Sequence, residues 1–232
     1  MLKAHQAQVA STIKFSWVDG PGNRYVLFLQ GCNFNCLACH NPQTIPLRTP
    51  RANEMTVQEV LEEIRGSMPY ISGVTVSGGE ATVQHEFVLD LFKEIKSRKE
   101  FKGLTTFIDS NGNAPQEVWI QLAPFTDGVM LDLKALDDAK HIELTGNSNV
   151  VVLDSIRYLD SIAKLYEVRL LLVPGQNDSD RELIDTAVWL RGINPEMRIK
   201  INAFKTHGVR ALARQWPEAS DADLARYKDI VN

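Results

Sequence analysis

The sequence predicts an α/β fold built on a parallel sheet, and three observations carry that expectation. Strand-like and helical segments alternate, β then α, six times over the 232 residues. The strand segments are short, nearly continuous apolar runs, as expected of strands covered on both faces. Glycine-rich or polar clusters follow the strand segments, where parallel α/β folds keep their chemistry. Two architectures fit: an open doubly wound sheet, and a barrel-like sheet with its site at the strand C-termini. The length suits one domain, residues 1–232, and 44% hydrophobic residues supply a core.

In chain order, residues 7–14 alternate weakly and read as an opening strand. Asp19-Gly20-Pro21-Gly22 is a turn, with Gly supplying positive φ and Pro fixing φ; Asn23 and Arg24 follow it. Residues 25–30 are a buried strand leading directly into the cysteines. Residues 42–55 read as a polar loop. Thr56 opens a helix, with Glu59 completing a capping box and Val57, Val60, Leu61 and Ile64 forming its apolar face. Val74, Thr75 and Val76 form a strand running into Ser77-Gly78-Gly79-Glu80, and residues 86–98 are an amphipathic helix. The strand at 104–108 ends in Asp109-Ser110-Asn111-Gly112, and a helix near 115–123 follows. The strand at 129–131 ends in Asp132-Leu133-Lys134, with helices near 137–144 and 150–163. The strand at 168–173 ends in Pro174-Gly175, before a helix at 178–191. The sixth strand, 199–204, ends in Lys205-Thr206-His207-Gly208, and a helix at about 220–231 closes the chain.

The chemistry starts from Cys32, Cys36 and Cys39, the chain's three cysteines, in a C-x-x-x-C-x-x-C loop. One short loop can aim these sulfurs at one point, and thiolates favour Fe–S clusters, zinc or copper(I). Four readings compete. A structural zinc site with His40 as fourth ligand departs from the usual two separated ligand pairs. Cys36 to His40 match the C-x-x-C-H haem-attachment pattern, which requires export. A redox dithiol at Cys36 and Cys39 leaves Cys32 without a role. A cubane cluster with three thiolates keeps one iron open to a ligand. Elsewhere each polar cluster has a plainer reading: a βα turn with a solvated Glu80, a turn at residues 109–112, an ion pair between Asp132 and Lys134.

Taken together, the Val18-Asp19-Gly20-Pro21-Gly22-Asn23-Arg24 run, the cysteine loop with its trailing His-Asn-Pro, Val76-Ser77-Gly78-Gly79-Glu80-Ala81, Asp109-Ser110-Asn111-Gly112 and Met130-Leu131-Asp132-Leu133-Lys134 resemble the radical S-adenosylmethionine (SAM) enzymes that activate glycyl radical enzymes, the pyruvate formate-lyase activase type. The resemblance runs in order from about residue 15 to 208. It implies a partial (β/α)6 barrel with outer helices. It implies a [4Fe-4S] cluster on Cys32, Cys36 and Cys39, with SAM on the open iron, and SAM contacts at Gly78, Gly79, Glu80 and Lys134. Asp109, Ser110, Met130 and Asp132 match a monovalent-cation site beside SAM, and oxygen ligands suit a hard cation. Arg169 matches a position near substrate and SAM. Asp19, Gly20, Pro21, Gly22 and Arg24 would wall the groove that docks the partner's glycine loop. The partner implied is a glycyl radical enzyme, with flavodoxin or ferredoxin as electron donor and a monomeric, oxygen-sensitive activase. The family's aromatic-His pair after the sixth strand is here Phe204-Lys205, so Lys205 or His207 takes the histidine's place. The cysteine-bearing ferredoxin-like insertion of other activases is missing, and the end at Asn232 reads as a short or truncated member. Two rivals remain: a radical SAM enzyme acting on a small molecule, and a non-catalytic metal-binding module.

A net charge of −4 and a pI near 5.8 argue against nucleic acid as a bulk partner. No apolar run approaches the roughly 20 residues that span a bilayer. The polar start, residues 1–12, lacks a signal peptide's apolar core. The expected compartment is a reducing cytoplasm, which suits free thiolates.

Overall fold

The structure is a computed structural model describing residues 6–231. The first five residues of the polar start and Asn232 lie outside the described residues. The chain forms two compact units. One holds the residues up to Asn33, Gln43–Ser110 and Ala114–Met130; the other holds Phe34–Pro42, Asn111–Asn113 and the chain from Leu131 onward.

The first unit contains β1 (Gln6–Ser16), β2 (Arg24–Leu29), β3 (Asn53–Thr56), α1 (Val57–Ser67), β4 (Gly73–Gly78), α2 (His85–Ser97), β5 (Thr105–Ser110) and α3 (Gln116–Leu122). Its strands lie in the order β3-β1-β2-β4-β5. β2, β4 and β5 are parallel, with Arg24 opposite Gly73 and Leu29 opposite Gly78. β1 is antiparallel to both β2 and β3. The β1–β2 connection is too short for a crossover, and a short connection forces the antiparallel pairing. The capping box on α1 is fully formed: Glu59 N–H donates to Thr56 Oγ1 at 3.2 Å, and Thr56 N–H donates to Glu59 Oε2 at 2.8 Å. α2 buries Phe87, Val88, Leu91, Phe92 and Ile95, one face at helical spacing.

β6 (Gly128–Leu133) carries the chain into the second unit. There follow α4 (Asp138–Thr145), α5 (Val150–Ser161), β7 (Leu165–Leu172), α6 (Asp180–Ile193), β8 (Ile199–Ala203) and α7 (Asp221–Val231), with β7 and β8 parallel. Ala38, Val173, Phe204, Val209 and Ala213 pack into one buried cluster, so the cysteine loop's own alanine helps anchor it.

The α/β class and the predicted parallel strands are present. The sheet is mostly rather than wholly parallel, because β1 is antiparallel. β3 was hidden in the predicted 42–55 loop. Asn-Glu-Met-Thr is polar and half-exposed, with no alternation to betray a strand. It becomes one only by pairing with β1, a long-range hydrogen-bond effect that local propensity does not carry.

Candidate metal and cofactor site

In the first unit, the end of β2 and the turn after β4 are laced together. Gly79 N–H donates to Leu29 O at 2.9 Å and Glu80 N–H to Gly31 O at 2.8 Å, while Cys32 N–H donates to Ile45 O at 3.0 Å. The two glycines exist for this lacing. A Cβ on Gly78, whose φ is +130°, would lie 2.2 Å from Leu29 N; one on Gly79 would lie 2.4 Å from Gly31 O. The backbone these glycines admit is the chain's own, the segment that delivers Cys32.

Glu80 is 1% exposed. Its Oε1 accepts from Thr82 N–H at 2.9 Å, Thr82 Oγ1 at 2.7 Å and Ser110 Oγ at 2.7 Å. The solvated-glutamate reading is therefore excluded. Asp109 Oδ2 accepts from Ser77 Oγ at 2.9 Å, so the clusters after β4 and β5 meet. Met130 is fully buried in β6, which leaves its carbonyl as the oxygen it can offer a cation.

Asp19, Gly20, Pro21, Gly22 and Arg24, expected to wall the docking groove, sit at the N-terminal end of β2. The 19–22 loop precedes β2, and the cysteines follow it. From the level of Arg24 and Gly73 to that of Leu29 and Gly78 is five residues, about 16 Å at strand rise. Arg24 itself is fully buried. Its five N–H donors meet Thr75 Oγ1, Pro21 O, Thr105 Oγ1, Val74 O and Thr105 O at 2.6–3.1 Å. It braces the loop through Pro21 O. Ser16 Oγ holds the Asp19 carboxylate at 2.5 Å, and the neighbouring Trp17 is 83% exposed.

In the second unit the loop around Cys36 rests on the last turn of α4. Asn35 N–H donates to Thr145 O at 3.0 Å and Leu37 N–H to Leu144 O at 2.9 Å. Burial pushes the Cys36 thiol pKa up; Lys134 pulls it down, and Cys39 and Asp132 push it further up. Lys134 Nζ is 2.7 Å from Asp132 Oδ2, half-buried on both sides. Arg169 Nε donates to Glu167 Oε1 at 2.7 Å in a nearly buried pair.

Lys205, expected with His207 as the residue in the histidine's place, turns its side chain toward the segment before α7. Its ammonium reaches Ala219 O at 3.2 Å and Glu218 Oε2 at 3.5 Å, and the side chain is mostly exposed. His207 is exposed as well. The link sequence reasoning missed is His40, whose Nε2 lies 2.9 Å from Lys205 O and whose ring packs 5.9 Å from that of Phe204. Gly208 completes the fit, since a Cβ there would lie 2.5 Å from His40 O. Asn177 was also missed: buried, it ties Lys134 O at 2.7 Å to Leu171 O at 2.9 Å. His40 was visible beside Cys39, whereas nothing near Asn177 signals a partner 43 residues away.

All three cysteine side chains are of intermediate exposure. Among the described residues no three His, Cys, Asp or Glu side chains gather closely enough to hold a single ion. A cubane makes no such demand, because each thiolate binds a different iron. Three thiol side chains are the donor set that a three-thiolate cluster needs, and the first unit's Glu80 is a buried carboxylate held by laced backbone. Among the described residues no helix is long and apolar enough to cross a membrane.

Comparisons of sequence with known proteins point to one family. A model described as the radical SAM superfamily matches residues 26–187. The pyruvate formate-lyase-activating enzyme of Streptococcus mutans is 38% identical over 209 residues, covering 86% of this chain and 78% of that one. Its counterpart in Staphylococcus epidermidis is 37% identical over 219 residues, covering 90% and 84%. Among solved structures, a domain of pyruvate-formate lyase-activating enzyme from Bacteroides vulgatus superposes with a TM-score of 0.59 at 21% identity, over 69% of this chain and 92% of that one. Streptococcus suis SuiB, bound to precursor peptide SuiA, gives 0.66 at 19% identity, over 87% and 43%. At these identities the structures speak to fold alone.

Proposed function

The chain belongs to the radical SAM superfamily, and we propose that it is an activating enzyme that generates a glycyl radical on a partner protein. The observation that carries this is the 37–38% identity to pyruvate formate-lyase-activating enzymes across most of both chains. Held by Cys32, Cys36 and Cys39, the cluster would supply one electron to cleave SAM into methionine and a hydrogen-abstracting 5′-deoxyadenosyl group, and the abstraction would yield 5′-deoxyadenosine and a radical on the partner's glycine.

The chain's residues then take these parts. Cys32, Cys36 and Cys39 hold the cluster. Glu80 accepts from the SAM ammonium, its carboxylate already oriented by Thr82 and Ser110. Gly78 and Gly79 set the backbone that carries it. Lys134 offers its ammonium to the SAM carboxylate, exchanging Asp132 for it, and Asp109, Ser110, the Met130 carbonyl and Asp132 surround a monovalent cation. Arg169, held by Glu167, meets substrate or SAM. The 19–22 loop, with exposed Trp17 beside it, contacts the partner at the far end of the strands. An extended partner segment of about five residues covers the length from there to the cysteine end. Flavodoxin or ferredoxin supplies the electron to a monomer in the reducing cytoplasm.

The test is anaerobic. Iron and sulfide load the protein, dithionite reduces it, SAM is added with pyruvate formate-lyase deuterated at glycine, and 5′-deoxyadenosine is separated by chromatography. Deuterium in the product supports the reading. Unlabelled 5′-deoxyadenosine would point to a small-molecule substrate.

A further inference from the structure

We infer that His141, in the middle of α4, is a positioning residue that fixes the cysteine loop on either side of Cys36. The inference rests on the proposed function only in taking Cys36 as a cluster ligand.

His141 is fully buried. Its Nδ1 lies 2.7 Å from Asn147 O, and a carbonyl only accepts, so Nδ1 carries the proton and donates. That bond closes the turn that ends α4, where Gly146 sits at φ +81°. Thr145 Oγ1 reinforces the turn, donating to His141 O at 2.8 Å and accepting from Asn147 N–H at 3.1 Å. The carbonyls of this last turn are those that hold the cysteine loop: Leu144 O takes Leu37 N–H and Thr145 O takes Asn35 N–H. The ring edge also meets Phe34 at 5.6 Å between centroids. The turn is therefore clamped from below by His141 and holds the N–H groups of Asn35 and Leu37, the residues on either side of Cys36, from above.

Packing alone does not call for this side chain. With Nδ1–H committed to Asn147, Nε2 is a buried acceptor without a hydrogen-bond partner. A phenylalanine would fill the same space without that orphaned atom. What histidine adds is one donor in the ring plane, aimed at the turn. The N–H groups of Asn35 and Leu37 are likewise committed to α4 carbonyls, which withholds them from cluster sulfurs. Hydrogen bonds to cluster sulfurs are one of the levers on cluster potential.

Two substitutions separate donor from packing. His141→Phe keeps the ring and removes the donor. His141→Asn keeps an N–H near the Nδ1 position and gives up part of the ring. On the cluster-loaded full chain, amide exchange is read over residues 33–38 and over α2, and the rate at which a ferrous chelator strips iron is followed. His141→Phe is expected to speed exchange at 33–38 at least tenfold and iron release about fivefold, with α2 unchanged; His141→Asn stays within threefold of the parent in both. If His141→Phe does not fold, Thr145→Val, which removes the second hydroxyl tie, is expected to give the same pattern. Exchange at 33–38 within twofold of the parent in the donor-less variant overturns the proposal. So does equal loosening of α2, or an Asn variant as loose as the Phe variant. A parent that takes up no cluster yet shows the same exchange pattern would count against the functional reading and leave this inference standing.

Discussion

Ser110 Oγ donates a 2.7 Å hydrogen bond to Glu80 Oε1, joining the residue that ends β5 to the residue after the double glycine that follows β4. Both side chains are buried, and Thr82 supplies two further donors to the same oxygen. A carboxylate held this way is oriented before any ligand arrives, so the ordering cost of binding is already met by the fold.

Glu80→Gln keeps an acceptor for Ser110 and Thr82 and removes the charge. Hydrogen bonds to charged groups contribute about 1.5–3 kcal/mol. SAM affinity of the cluster-loaded protein should therefore fall roughly 10–100-fold by equilibrium dialysis, with little change in melting temperature. Glu80→Ala should also lower the melting temperature, since it leaves buried donors unmet at about 1–3 kcal/mol each. An unchanged dissociation constant in Glu80→Gln would remove Glu80 from the SAM site.

Arg24→Lys replaces five fixed donors with three and leaves Val74 O, Pro21 O or Thr105 O unmet. A loss of about 3 kcal/mol is expected. That corresponds to roughly 6–12 °C in melting temperature for a chain of this size. A shift under about 2 °C would show that the arginine does not brace the 19–22 loop.

Thr56→Ala removes the side-chain half of the capping box on α1. The expected cost is about 1 kcal/mol, read as a melting-temperature drop of roughly 2–4 °C, with 5′-deoxyadenosine formation unchanged because α1 carries none of the site.

His40→Ala removes the tie between the residue after Cys39 and Lys205 O. Iron content should hold, while SAM binding weakens several-fold as the 205–208 segment loosens; one neutral hydrogen bond is worth about 1 kcal/mol. Equal SAM affinity in the variant would make the tie irrelevant to the site.

Much of this was legible because its signals are local. Alternating apolar runs, the Thr56–Glu59 box and the cysteine spacing each declare themselves within a few residues. So does the double glycine, although the sequence reveals only that backbone passes closely there. It takes the structure to identify that backbone as residues 29–31. Arg24 follows a turn-rich run; its burial depends on acceptors from Val74, Thr75 and Thr105, far along the chain. β3 and the Asn177 tie to Lys134 are likewise products of long-range hydrogen bonding. Lys205 looked like a replacement for a histidine because of its place in the chain, yet its ammonium turns toward Glu218.

The central claim is that this chain makes a glycyl radical on another protein. The most direct test is electron paramagnetic resonance of pyruvate formate-lyase after anaerobic incubation with the reduced, cluster-loaded protein and SAM. The account predicts a glycine-centred radical signal on the partner, one equivalent of 5′-deoxyadenosine per radical, and loss of both in Cys36→Ala. A protein that holds stoichiometric zinc instead of iron, or that cleaves SAM freely while the partner stays silent, would contradict it.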